Sequence, residues 1–256
     1  VSDQDNCLII DSSASDQDMA YFQAMAKYVC DGLHTCGYVY CPGDMMAMTD
    51  RWCQKVDVWQ DYFASWIATP DTQAQMLASV MFDLRVISGD NTLLETLHSR
   101  ALEAAKDNSI FVAHMIANSL KHAPPLGLLR GLATIKSGEH RNRIDMKHAG
   151  VVPIVDLGRV YALQGQLSPV NTRARIEDAR ASGLISKSGG DDLLAAYDTI
   201  ATARLEHQAA QVRDAIAPDN YLSPSSIPAF ERSHLRDAFV IVRTMQSSLS
   251  AQAARS

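Results

Sequence analysis

Between residues 19 and 33 the apolar side chains Met19, Phe22, Ala26, Val29 and Leu33 recur at steps of three and four, which places them on one face of an α-helix. Ser15 stands where an N-cap belongs, and Gly37 stands where the chain would leave the helix. A second helix is expected to carry Val58, Tyr62, Phe63, Trp66 and Ile67 and to stop before Pro70. Residues 6–10 form a short apolar run bounded by polar residues and read as a strand. Residues 81–87 alternate, with Phe82, Leu84 and Val86 on one face and Asp83 and Arg85 on the other. Ser88-Gly89-Asp90 follows as a turn, so this stretch predicts a half-buried strand. Tyr38-Val39-Tyr40, between Gly37 and Pro42-Gly43, is a weaker third strand.

After Asp90 the period is helical almost throughout. Leu93, Leu94, Leu97 and Ala101 make one stripe, and Ile110, Phe111, Met115 and Ile116 make the next. Pro124-Pro125, with Gly127 and Gly131 beyond, breaks the run and marks a boundary between residues 1–123 and 124–256. An irregular or hairpin segment is expected around 143–147, followed by four helices. The first holds Ile154, Leu157 and Val160, and the second runs from Asn171-Thr172 through Ile176 and Ala179 to Gly183. The third spans about 191–216 with Leu194, Tyr197, Ala201, Leu205 and Val212 inward. The fourth starts near Pro228 and buries Leu235, Phe239, Val242 and Leu249, ahead of a frayed Ser/Ala-rich tail. The fold class is therefore α+β: a small mixed sheet with its helices, then a mostly helical bundle.

Composition narrows the function. In 256 residues, 29 acidic against 23 basic side chains leave a formal charge of −6, too acidic a balance for non-specific nucleic-acid binding. No apolar run approaches the ~20 residues of a membrane-spanning helix, and the opening Val1-Ser2-Asp3-Gln4-Asp5 is acidic where a signal peptide is basic, so the expected location is the cytoplasm. The five cysteines, Cys7, Cys30, Cys36, Cys41 and Cys53, form no CxxC pair and read as small buried hydrophobes or as one free thiol among buried ones.

The candidate chemistry is acidic. Asp3 and Asp5 are two apart and lead into a strand, where i and i+2 point to one side. Two carboxylates that close repel unless a cation lies between them, and hard oxygen ligands select magnesium or manganese. If the strand holding Asp83 lies beside the first, three carboxylates converge as a two-metal phosphoryl-transfer site requires. A solvated turn is the alternative for Asp3 and Asp5, and an ion pair with Arg85 is the alternative for Asp83. Arg85 either neutralises a phosphate or pairs with Asp83 or Asp90, and Lys147 either reaches a triphosphate or is solvated. Arg204, His207, Gln208 and Gln211 share one face of the long helix, as an acceptor-binding stripe or as a polar seam between helices. Cys41-Pro42-Gly43 reads as a backbone turn, with no His nearby in sequence to make Cys41 a nucleophile.

The stretch from Ser2 to Ile9, reading SDQDNCLI, resembles the acidic motif of a bacterial nucleotidyltransferase family. That family belongs to the polymerase-β-like superfamily and is related to the uridylyltransferases that modify PII signal proteins. The similarity continues through the residues from Cys41 to Ala47, Trp52, Trp59, Trp66-Ile67, Phe82-Asp83-Leu84-Arg85, Gly89-Asp90 and the residues from Pro124 to Gly127. In the second half the residues from Ile144 to Lys147, Asp156 with Arg159, Asn171-Thr172-Arg173, Arg204 with His207-Gln208, and Asn220 resemble the family's helical substrate-binding domain. The resemblance implies that Asp3, Asp5 and Asp83 bind metal (magnesium or manganese), with a nucleoside triphosphate as substrate. It further implies attack on the α-phosphate by a protein or small-molecule hydroxyl, with release of pyrophosphate. Members often carry CBS or cyclic-nucleotide-binding domains upstream, so regulatory domains are expected in the full-length protein. The family's Gly-Ser pair precedes its acidic motif, whereas here only two residues precede Asp3, so a fragment or a degenerate relative is expected. Two other readings stand beside the enzyme: a non-catalytic regulatory module with a vestigial acidic site, and a manganese-dependent sugar-nucleotide transferase. The helical second half disfavours the last.

Overall fold

The computed structural model describes residues 3–127 and 131–253; Val1 and Ser2, at the head of the acidic motif, and the last three residues of the tail lie outside the described residues. The chain divides into two compact units. One comprises the chain through Ala74 with Leu84–Ala104, and the other comprises Gln75–Asp83 with the chain from Ala105 onward.

In the first unit, helix α1 (Asp16–Thr35) begins where the sequence places it. The Ser15 hydroxyl accepts from the Asp18 amide, while the Asp18 carboxylate accepts from the Ser15 amide at 2.8 Å, a reciprocal cap. Gly37, at φ 101°, takes the left-handed conformation that lets the chain turn out of the helix. The buried face differs by one position: Val29 is 45% exposed, and Cys30, fully buried, packs with Ala26, Cys41 and Met46. The strands are short. β1 (Asp3–Gln4) pairs parallel with β3 (Val39–Tyr40), and β2 (Leu8–Ile10) pairs parallel with β4 (Cys53–Lys55). Helix α2 (Val56–Ala68) buries Trp59, Phe63, Trp66 and Ile67. The Trp59 indole donates to the Leu8 carbonyl at 3.0 Å, which fixes α2 against β2. Trp52 and Tyr62 close the aromatic cluster, each 5.7 Å from Trp59.

The strand expected over 81–87 does not form. Helix α3 (Thr72–Met81) occupies its start, because Ala74, Leu77, Ala78 and Met81 recur at helical spacing and are all buried. Phe82 continues that buried surface, whereas Val86 and Ile87 are exposed, so the alternation after Met81 has no sheet face to fill. Asp83 sits in the turn just after α3, its amide bonded to the Val80 carbonyl. Helix α4 (Asn91–Lys106) buries Leu97, Ala101 and Ala105.

The second unit is mostly helical. Helix α5 (Ser109–Ser119) is capped by Asn108 and buries Phe111, Met115 and Ile116, while Ile110 faces solvent at 66% exposure. Around residue 143 the chain is irregular, its loop closed by the Ile135 amide on the Arg143 carbonyl and the Asn142 amide on the Ile135 carbonyl, and β5 (Ile144–Asp145) pairs antiparallel with the distant β6 (Tyr221–Leu222). A wide π-helical turn, Met146–Val151, leads into α6 (Val152–Gly165), then α7 (Thr172–Ala181), capped by Asn171. Helix α8 (Lys187–Arg213) buries Leu193, Leu194, Ala196 and Ile200 in a core shared with α6, α7 and α9 (Ala229–Ala253). Its second half departs from expectation. Leu205 and Val212 are 60% and 62% exposed, because beyond Ile200 the helix leaves the core and turns its polar stripe to the chain at 219–222. Phe239, Val242 and Leu249 on α9 are buried as expected. An α+β fold with small sheets and a helical second half is what the chain forms. Among the described residues, no helix is long and apolar enough to cross a membrane.

Candidate functional site

The acidic strand is ordered by the residues between its acids. Gln4 is 5% exposed, and its amide donates to the Cys30 carbonyl at 2.9 Å and the Tyr38 carbonyl at 3.1 Å. Asn6 donates from its side chain to Gln4 Oε1 at 3.1 Å, and its own Oδ1 accepts from the Ala47 amide at 2.9 Å. Its backbone amide bonds the Met45 carbonyl. Gln4 and Asn6 therefore face inward, and Asp3 and Asp5, alternating with them, are both exposed. The loop after β3 is shaped by the same contacts. Asp44, at φ 55°, closes a turn with its amide on the Cys41 carbonyl. Burial, and a hydrogen bond to the Asp5 carboxylate, push the Cys41 thiol up, so it stays protonated and poorly nucleophilic.

Asp83 has a different setting. It belongs to the second unit, where Arg159 on α6 donates to it from Nη2 at 2.5 Å and from Nε at 3.3 Å, and Arg175 on α7 donates from Nη1 at 2.5 Å. Arg175 also donates to the Phe82 carbonyl at 2.8 Å and the Pro169 carbonyl at 2.7 Å. The other side of Arg159 holds Asp156 at 2.7 Å, and His122 lies 3.3 Å from that carboxylate. Two carboxylates and two guanidinium groups balance in a site where Arg159 and Asp156 are each 7% exposed and Arg175 is 1% exposed. Burial pushes the Asp156 carboxyl above its ordinary range, with Arg159 and His122 pulling against it. Burial likewise lowers Arg175, while Arg159, facing two carboxylates, is held above its ordinary value against its own burial. Both oxygens of Asp83 are thus taken by guanidinium donors. Among the described residues, no group of three or more His, Cys, Asp or Glu side chains is placed to hold a metal ion, and the strand pairing that was to carry Asp83 beside Asp3 and Asp5 does not form.

The remaining candidates are dispersed. Arg85 is exposed and forms no ion pair among the described residues. Lys147 is exposed at the start of the π-helical turn, where Asp145 accepts from the backbone amides of Lys147 and His148. On α8 a polar seam forms. Arg204 and Gln208 donate to Asn220 Oδ1 at 2.7 and 3.2 Å, His207 Nε2 is 2.9 Å from Asp219 Oδ1, and Gln211 accepts from the Asp219 amide. These contacts hold the strand at 219–222 against the helix, not one helix against another. A groove of about 920 Å³ opens beside the seam, between α8, the chain at 221–228 and the first turns of α9.

Arg175, Gln4 and Asn6 were not singled out as site residues by sequence reasoning. The readable signal for Arg175 was a charged residue inside the otherwise apolar and small stripe Thr172, Ile176 and Ala179, all buried on α7. Gln4 lies between two acids at the inward position of an alternating strand, where an amide needs partners.

Two family profiles match the chain. One, described as "Putative nucleotidyltransferase DUF294", covers residues 1–73, and the other, described as "Putative nucleotidyltransferase substrate binding domain", covers residues 109–253. No curated protein and no solved structure matches significantly. The acidic strand falls within the first match, and Arg159, Arg175 and the α8 seam fall within the second. The chain belongs to the family of nucleotidyltransferase-type proteins with a C-terminal substrate-binding domain.

Proposed function

We propose that this protein transfers a nucleotidyl group from a nucleoside triphosphate to an acceptor hydroxyl, with Asp3 and Asp5 as the acidic pair. One observation carries the reading: Asp3 on β1 and Asp5 just beyond it are both exposed, while the intervening Gln4 is locked inward by two hydrogen bonds. Two carboxylates suit magnesium, which is commonly held by one or two protein carboxylates together with substrate phosphates and water. When bound there, the metal would neutralise charge on the phosphates and on the leaving pyrophosphate. Asp3 and Asp5 present hard oxygens on the outward side of a segment that Gln4 and Asn6 fix from beneath, with the Cys41 thiol as a hydrogen-bond partner of Asp5. Arg85, exposed in the same unit as the acidic pair and with no ion pair among the described residues, is a cation for phosphate oxygens, and Lys147, exposed in the second unit, is a candidate phosphate contact in its own right. Asp83 acts in this scheme through Arg159 and Arg175, as a positioning residue of the substrate-binding domain. A role like that of the PII-modifying enzymes, with upstream regulatory domains and a cytoplasmic location, fits this reading.

A second reading, a regulatory module with a vestigial acidic site, is favoured by the engagement of Asp83 with two arginines. The discriminating experiment incubates the protein with magnesium, a panel of α-labelled nucleoside triphosphates and cell extract. Label transfer that disappears in Asp5→Asn supports the enzyme; no transfer with any nucleotide favours the module.

A further inference from the structure

The groove beside α8 has a volume of about 920 Å³, at the upper end of the range for specific ligand sites. Its wall and floor differ in chemistry. Leu222, Ile227 and Leu235 supply an apolar floor, while Glu206 and Asp214 at α8 and Glu231 on α9 stand at the rim. Those three carboxylates are exposed and form no ion pairs among the described residues. The groove's other charges cancel: Asp198 is held by Arg173, and Asp219 is shared by His207 and Arg143. His234 also lines the groove, its ring tilted against Phe230 with the centroids 4.1 Å apart.

An uncompensated anionic rim over an apolar floor repels polyanions, so the nucleoside triphosphate is not the occupant. It suits a chain segment whose aliphatic stems lie on the floor while ammonium or guanidinium heads reach the rim, the way Lys and Arg side chains distribute themselves over apolar surfaces. We infer that this groove binds a protein acceptor through a basic segment, with Lys or Arg alternating with apolar residues near the hydroxyl to be modified. The inference rests on the nucleotidyl-transfer reading and deepens it by naming the acceptor class.

The test measures fluorescence anisotropy of a labelled peptide alternating Leu and Arg, titrated with the protein at low salt. Saturable binding is expected, weakened about tenfold in the double variant Glu206→Gln/Glu231→Gln and weakened by added salt in the wild type. Glu139→Gln, an exposed carboxylate outside the groove, should bind as the wild type does. Equal binding by the double variant, equal binding of a Leu–Glu peptide, or binding of spermidine but not of the peptide would each overturn the inference. The melting-temperature shift caused by magnesium and nucleotide is read in parallel and should be unchanged in the double variant. Peptide binding without any nucleotide response removes the enzymatic reading alone.

Discussion

Replacing Asp83 with alanine separates the two roles open to this residue. In the folded protein its carboxylate offsets two guanidinium groups, so the cluster of Asp83, Asp156, Arg159 and Arg175 passes from neutral to a single positive charge when it is removed. Arg159 keeps Asp156, but Arg175, 1% exposed, retains only the carbonyls of Phe82 and Pro169. Removing one partner of a buried ion pair costs about 3–5 kcal/mol, because the remaining charge stays desolvated. The Asp83 side chain is 31% exposed, so water reaches the vacated site and screening brings the cost below that range, to roughly 2–3 kcal/mol. For a unit of this size each kcal/mol moves the midpoint by about 2–4 °C, which gives a fall of roughly 4–12 °C. The exposed Asp3→Ala should stay within about 0.5 kcal/mol of the wild type. Thermal unfolding followed by circular dichroism reads both variants, and hydrogen exchange on α7 locates the loss. An Asp83→Ala midpoint no lower than that of Asp3→Ala would refute the ion-pair role.

Three other outcomes are expected. With five free cysteines and only Cys36 exposed, one thiol should react rapidly with a disulfide reagent under native conditions, and Cys36→Ser should remove that phase. Cys7, its thiol pushed up to about 12 by burial, should react only on unfolding. Asp145 and Asp219 are partly buried, which alone would raise them, yet hydrogen bonds from His148 and the amide of Lys147, and from His207 and the amide of Tyr221, hold both below the ordinary 3.8. Their contribution to stability is therefore full above that value and lost as pH falls from it through their lower folded values, so Asp145→Asn should flatten the acid limb of a urea-midpoint curve. Ser15→Ala should destabilise the first unit by about 1 kcal/mol, since the reciprocal cap with Asp18 is lost, as a urea melt would show.

Where local signals agreed, the fold was readable. Helix α1 announced itself through Ser15 and Gly37, and α2 through its aromatic stripe and Pro70, because caps and stops act within a few residues. The alternation over 81–87 misled because Ala74, Leu77, Ala78 and Met81 carry a longer helical period that ends just where the alternation begins. Pairing of β5 with β6 left no trace in either segment, since two residues per strand set no pattern. Leu205 and Val212 continue the apolar spacing of α8 beyond the point where the core ends, and periodicity alone does not mark that point. The acidic strand was legible as a period of two. The neutralisation of Asp83 was not, because its partners Arg159 and Arg175 lie far along the chain on two different helices.

Metal-assisted nucleotide binding is proposed for Asp3 and Asp5, and Asp83 is proposed to belong to the frame of the second unit. Manganese binding in the presence of a nucleoside triphosphate, read by electron paramagnetic resonance at a temperature where every variant is folded, tests it most directly. Asp3→Asn and Asp5→Asn should each lose the bound signal, and Asp83→Asn should keep it. A folded Asp83→Asn that loses manganese as completely as Asp5→Asn would contradict the assignment.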